Sequence, residues 1–349
     1  MVAKPLLWGI TVFLGLVGGW GFDQLGVPLA WLIGSLAATA VVSLAGYKLA
    51  MPPAGRQVGQ VVLGAAIGLT FSAQVAAYVA QFLPVMIGSA FLSIGFGVVA
   101  ALALKRNAGT DSATAFFSSV PGGVVEMSVQ AERYKGDTAS VSLAQSLRIL
   151  FVVTTIPTVI TVLGLTGVDP FELRVLPFDP LGCALLLGAA GFVGWFVNLR
   201  KTPNAWFLGP LTVAVIVSLT GLDLSGIPDV LVNLGQVMMG ATLGLRYQRD
   251  RVLALRAFLP PAFASTVILV GLNVAAGLII GYMFDLPLPT MALAASPGGM
   301  AEMSITAKVL HLGVPIVVAF HVVRIFLVIA FTDMVFRRVF KVDPPSDGN

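Results

Sequence analysis

Charge is what this chain has least of. Only 10% of its 349 residues are Asp, Glu, Lys or Arg, against about a quarter in a soluble domain. A water-facing globule of ordinary polarity is thereby excluded. Cysteine is reduced to Cys183, inside an apolar run, which excludes an intrachain disulfide and any multi-cysteine metal site. Histidine is scarce too: His311 and His321 stand ten positions apart, too few for the His-and-carboxylate cluster of a copper oxygenase. No metal and no cofactor are expected. The sequence pI of about 9.4 reflects a formal excess of only +4. Its basic residues sit in short clusters between apolar runs, which marks membrane topology and not a nucleic-acid face.

What is present is hydrophobic: 57% of the residues, with a mean hydropathy of +0.96. A bilayer core about 30 Å thick takes roughly 20 apolar residues per helical span. Apolar segments fall at 5 to 22, 28 to 47, 57 to 71, 79 to 104, 110 to 131 and 139 to 165. Six more follow at 178 to 198, 205 to 221, 230 to 245, 255 to 284, 288 to 310 and 313 to 336. The first begins like a signal peptide, with Lys4 before an apolar stretch, but Gly18-Gly19-Trp20-Gly21-Phe22-Asp23 offers no small-x-small cleavage pattern, so it reads as a retained span. The polar tail 342–349, with Pro344 and Pro345, has nothing to bury and is expected to be disordered.

The two sixes are related. Pro121-Gly122-Gly123-Val124-Val125-Glu126-Met127-Ser128 matches Pro297-Gly298-Gly299-Met300-Ala301-Glu302-Met303-Ser304 at six of eight positions, at an offset of 176. Gly59-Gln60-Val61 with Gly64, Ala65, Gly68 and Leu69 recurs as Gly235-Gln236-Val237 with Gly240, Ala241, Gly244 and Leu245; Arg148 recurs as Arg324, and Ala30-Trp31 as Ala205-Trp206. The chain therefore reads as two repeats, 1–170 and 171–341.

Basic residues mark the cytoplasmic side of a membrane. Were all twelve segments to cross, the Lys and Arg outside the core would split nine and nine. If the two motif segments instead enter and leave on one side, sixteen face the cytoplasm and only Arg174 and Lys308 face out. The expectation is an all-α polytopic membrane protein with ten transmembrane helices and two re-entrant, broken-helix hairpins. Five crossings per half make the halves inverted repeats. Pro lacks the backbone donor and two glycines loosen the chain, so a helix reaching Pro121 or Pro297 should stop and restart. Secondary transporters place their site where two such breaks meet near the midplane.

At each break, unpaired backbone N–H groups of the restarting helix suit an anion. Pro121, Gly122, Gly123 and Ser128, with Pro297, Gly298, Gly299 and Ser304, are the expected substrate-binding positions. Closer helix packing is the plainer reading of the same glycines. Glu126 and Glu302 follow each break by a turn, and intramembrane carboxylates are costly, so proton or sodium coupling is expected of them, with a static pair to Arg148 or Arg324 as the alternative. Arg148 and Arg324 lie mid-segment and could grip a substrate carboxylate or the nearby Glu. His321, three residues before Arg324, stands where the first half has Gln145; it could carry a proton or be a satisfied core histidine. Gly64 and Gly68, with Gly240 and Gly244, follow the small-x-x-x-small spacing of helix packing.

The twin Pro-Gly-Gly-x-x-Glu-Met-Ser motif, the Arg-bearing helix after it and the Gly-Gln-Val repeat resemble the AbrB-type duplicated integral membrane protein family, over about residues 5 to 340. Members carry labels as ammonia monooxygenases or as regulators of gene expression, and the family name is shared with an unrelated soluble DNA-binding regulator. Neither the oxygenase chemistry nor direct DNA binding suits this composition. The expected function is secondary active transport of a small polar or anionic metabolite coupled to protons or sodium. A membrane sensor acting on gene expression through a partner is the alternative. The expected surroundings are the lipid bilayer of a bacterial inner (cytoplasmic) membrane, a small-molecule substrate, the coupling ion and a homodimer partner, with no nucleic acid.

Overall fold

The computed structural model describes residues 4–52, 54–165, 176–222 and 224–342. The expected repeat boundary at 170/171, Arg174 and the tail from 343 lie outside them. Among the described residues every regular element is helical.

The first half runs α1 (Lys4–Gln24), α2 (Ala30–Leu44), α3 (Gly55–Gly68), α4 (Ala73–Gln81), α5 (Leu83–Ala108), α6 (Ser112–Ser119), α7 (Val124–Arg133) and α8 (Thr138–Val162). The second runs α9 (Pro180–Leu199), α10 (Ala205–Leu219), α11 (Asp229–Gly244), α12 (Arg249–Ala254), α13 (Leu259–Met283), α14 (Leu288–Ala295), α15 (Met300–Val309) and α16 (Val314–Phe340). Order and lengths repeat, element for element. Even the left-handed residues between helices recur at the same spacing: Leu29 with Asn204, Gly46 with Gly221, Gly109 with Asp285, and Lys135 with His311. Tight links of this kind stop one helix and aim the next, whichever residue type must bear the strain.

Among the described residues six helices are long and apolar enough to cross a membrane: α1, α5, α8, α9, α13 and α16. They are three equivalent pairs. The bent pair α3 and α4, at 93°, would make a seventh span. The protein is a membrane protein by this measure. Two helices depart from the expected segments. α4 takes residues that the pattern assigned to the start of a span at 79, because the Ser72 hydroxyl accepts from Val75 N and starts a separate helix. α12, its equivalent, is the charged run Arg249-Asp250-Arg251.

The chain divides into two compact units, and each draws on both halves. The first comprises Met1–Gln81, Pro157–Arg251 and Ser304–Pro315. Within it α2 packs on α1 and α11, and its equivalent α10 packs on α9 and α3. The glycine stripe explains the closeness. A Cβ on Gly64 would strike Phe207 O and one on Gly68 Leu211 O; on Gly240 and Gly244 it would strike Leu32 O and Leu36 O. These are the same contacts made twice, and they fit the packing reading.

The second unit comprises Phe82–Ile156, Val252–Met303 and Ile316–Asn349. In it α5 packs on α13, α6 on α5, and α14 on α13. An aromatic core of Phe116, Phe117 and Phe336 with Tyr134 and Phe340 fills one part, its rings meeting at centroid distances of 4.7 to 5.9 Å. The motif helices, Arg148 and Arg324 all fall in this unit, except that the division passes through α15 between Met303 and Ser304.

Candidate functional site: two matched helix breaks

Each motif interrupts a helix. α6 and α14 have eight residues and α7 and α15 ten, so each half spans only about 12–15 Å. The residue before each proline is pushed into an extended conformation, as the proline ring requires: Val120 at ψ 134 and Ser296 at ψ 134. The same hydrogen bonds then recur. Gly122 N donates to Val120 O and Gly298 N to Ser296 O, both at 2.9 Å; Met127 N donates to Gly123 O at 3.1 Å and Met303 N to Gly299 O at 2.9 Å.

The glycine pair has a local cause. A Cβ on Gly122 would overlap the Met127 side chain, and on Gly298 that of Met303; a Cβ on Gly123 would overlap the Glu126 carboxylate, and on Gly299 that of Glu302. Both side chains thus fold back over the break from the first turn of the restarting helix, which accounts for the spacing between Gly-Gly and Glu-Met. Gly123 also has φ +95, a conformation that other residues resist.

The carboxylates are not equivalent. Glu302 is 2% exposed, whereas Glu126 is half-buried and Val125 beside it is exposed. Ser128 donates its hydroxyl to Val124 O of its own helix at 2.7 Å, and Ser304 is fully buried. Pro121 and Pro297 are buried at the break points.

Arg148 and Arg324 reach back to the breaks. They are 3% and 8% exposed. Arg148 Nη1 donates to Val120 O at 3.4 Å. Arg324 Nη1 donates to Ser296 O at 2.5 Å and its Nη2 to Gly298 O at 2.9 Å. Val120 and Ser296 are equivalent residues, so each guanidinium holds the carbonyl end of its first half-helix, where the helix dipole is negative. Among the described residues neither makes an ion pair with a glutamate, the alternative that the sequence offered. The glutamates are turned back on their glycines instead.

Gln145 was expected only as the counterpart of His321, and it does more. Its Nε2 donates to Phe117 O at 2.7 Å and Val120 O at 2.8 Å, tying the end of α6. His321 bonds its own helix, Nδ1 to Val317 O at 2.8 Å. That nitrogen must carry the hydrogen, since a carbonyl can only accept. Nε2 is buried without a hydrogen bond of good geometry and faces the backbone of Ser296, the residue equivalent to Val120. The equivalent helix position thus faces the end of one break with an amide and that of the other with an imidazole.

A second cluster escaped the sequence reading. Tyr134, just past α7, donates its hydroxyl to Asp333 Oδ1 at 2.5 Å, and Arg337 pairs with Asp333 Oδ2 at 3.0 Å. It has no counterpart in the other half, where Pro157 and Thr161 stand at the equivalent positions, so the repeat could not point to it. Among the described residues no three His, Cys, Asp or Glu side chains converge as metal ligands.

Comparison with known proteins places these features in a family. The profile described as transition state regulatory protein AbrB matches residues 2–96 and 31–340. An uncharacterized protein of Bacillus subtilis, YhjN, is 28% identical over 95% of this chain and 92% of its own. A protein of Escherichia coli K12, provisionally named as the regulator AbrB, is 24% identical over 93% of this chain and 94% of its own. With matched repeats over nearly its whole length, the chain belongs to the AbrB family of membrane proteins.

Proposed function

We propose that the protein is a secondary active transporter of a small polar or anionic metabolite, driven by protons or sodium, in the inner membrane of a bacterium. The observation that carries the reading is the pair of matched helix breaks in one compact unit, each held at its carbonyl end by a buried arginine. Broken helices at membrane depth are tolerated only against protein or a wet cavity, and transporters use them to present backbone groups to substrate and ion. Glu126, Glu302 and His321 are the groups that would exchange the coupling ion.

Inversion of the halves is part of the proposal. It is supported within the second unit by α5 and α13, equivalent helices sharing Leu83-Pro84 with Leu259-Pro260 and Gly95 with Gly271. Ser265 Oγ donates to Ala100 O at 3.0 Å, yet the equivalent of Ser265 is Ser89, eleven positions from Ala100. Parallel mates in register would leave those two residues roughly 16 Å apart along the axis, whereas antiparallel mates bring them together. Ten spans, two re-entrant hairpins and a homodimer complete the reading.

The test is flux into proteoliposomes, with and without proton and sodium gradients, for wild type and for Glu126→Gln and Glu302→Gln. Gradient-driven uptake lost in the variants is expected. Saturable ligand binding with no flux under any gradient would instead favour a membrane sensor acting through a partner, the reading suggested by the regulator names of the family and of the Escherichia coli relative.

A further inference from the structure

Two guanidiniums in the second unit are short of counter-charge. A buried ion is ordinarily matched by an opposite one, because its desolvation is costly and neutral dipoles offset that cost only in part. Arg148 and Arg324 are each more than nine-tenths buried and touch only backbone carbonyls. The Nε of each has no acceptor. Arg324 repels Arg148, and among the described residues neither guanidinium makes an ion pair. The glutamates that could neutralise them, Glu126 and Glu302, are folded over Gly123 and Gly299. Near the end of α6 the Ser118 hydroxyl is also buried without a partner.

We propose that Arg148 and Arg324 bind a small oxyanion, a carboxylate or a phosphate, which supplies the negative charge that the protein withholds. This deepens the transporter reading by naming the substrate class, and rests on it for the anion's onward movement. The planar fork of guanidinium matches the paired oxygens of such a group. The two Arg–carbonyl contacts have a consequence of their own: an anion between the guanidiniums would be in contact with the groups that fix both break ends, so occupancy and the shape of the breaks would be coupled.

The experiment uses the full-length protein in lipid nanodiscs at constant chloride. Succinate, acetate and inorganic phosphate are titrated by calorimetry and thermal shift, with ammonium and choline as cation controls, on wild type, Arg148→Gln, Arg324→Gln and the two Arg→Lys variants. Saturable binding of succinate, acetate or phosphate is expected, weakened at least tenfold in either Gln variant and less in the Lys variants. Which of the three binds separates a carboxylate source from a phosphate one. Absence of oxyanion binding to folded wild type, or binding unchanged in folded variants at both positions, overturns the proposal. Should the Gln variants fail to fold, the Lys variants decide by the same criterion. Oxyanion binding without flux would uphold this site and overturn transport, whereas cation flux without oxyanion binding would do the reverse.

Discussion

Gly122 and Gly123 are fixed by what lies above them. In both repeats the Met and Glu of the next turn occupy the space of the missing Cβ atoms, so glycine and its partner should be exchangeable only together. Gly299→Ala is expected to displace the Glu302 carboxylate at a cost of about 1 kcal/mol, since the colliding atoms are the end of a flexible side chain, and Gly299→Ala with Glu302→Ala to cost less than the two single changes together. A thermal-melt double-mutant cycle in detergent checks this, and additive losses would refute it. Tyr134 gives a pH-dependent case outside the membrane-spanning helices. Burial first, then the bond to Asp333 and its charge, hold its hydroxyl up at about 12, above the ordinary 10.0 of a tyrosine. The folded state therefore keeps a proton that the unfolded chain loses, so the contribution is whole below pH 10 and vanishes between about 10 and 12. Tyr134→Phe should cost about 1 kcal/mol at neutral pH and should remove that part of the alkaline loss, as melts from pH 8 to 12 would show. The repeat made the motif residues legible. Which way their side chains turn was not, because Glu126 and Arg148 share no spacing that distinguishes a bond between them from separate bonds to the break.

Among the elements, the glycine stripes carry the clearest symmetry. Gly68 lies against Leu211 O and Ala214, and Gly244 against Leu36 O and Thr39, which are equivalent partners. Gly68→Leu and Gly244→Leu should each cost about 1–3 kcal/mol or more, and by similar amounts, measurable as matching falls in melting temperature. A large loss in one alone would break the equivalence. Most helices could be read from hydropathy, since a run of twenty apolar residues has few other fates in a bilayer. The breaks could be read from Pro-Gly-Gly. α4 and α12 could not: α4 is apolar enough to merge with the span that follows, and α12 is six residues with charge at its start.

For the whole molecule, the inverted reading predicts sidedness. Cys183 is the one cysteine, so Cys183→Ala gives a cysteine-free background for single replacements at Asn107, exposed in the last turn of α5, and at Asp285, exposed just past the end of its equivalent α13. An impermeant thiol reagent applied to intact cells should label Asp285→Cys and spare Asn107→Cys; labelling of both from one side would refute the inversion. The halves were legible as halves because their residues repeat. The compact units were not, since nothing in one repeat says that its helices will pack with those of the other. That exchange bears on biogenesis. A chain emerging at about 5–20 residues per second can complete neither unit from its first half, because α2 lacks α11, α3 lacks α10 and α5 lacks α13 until the second half is made. The early helices must wait in the bilayer for roughly 8 to 40 seconds at that rate with their glycine faces uncovered, a window in which they are open to quality-control proteases or to a second nascent chain. Arg324 arrives on α16, so the second break is pinned only after both of its half-helices, α14 and α15, have been made.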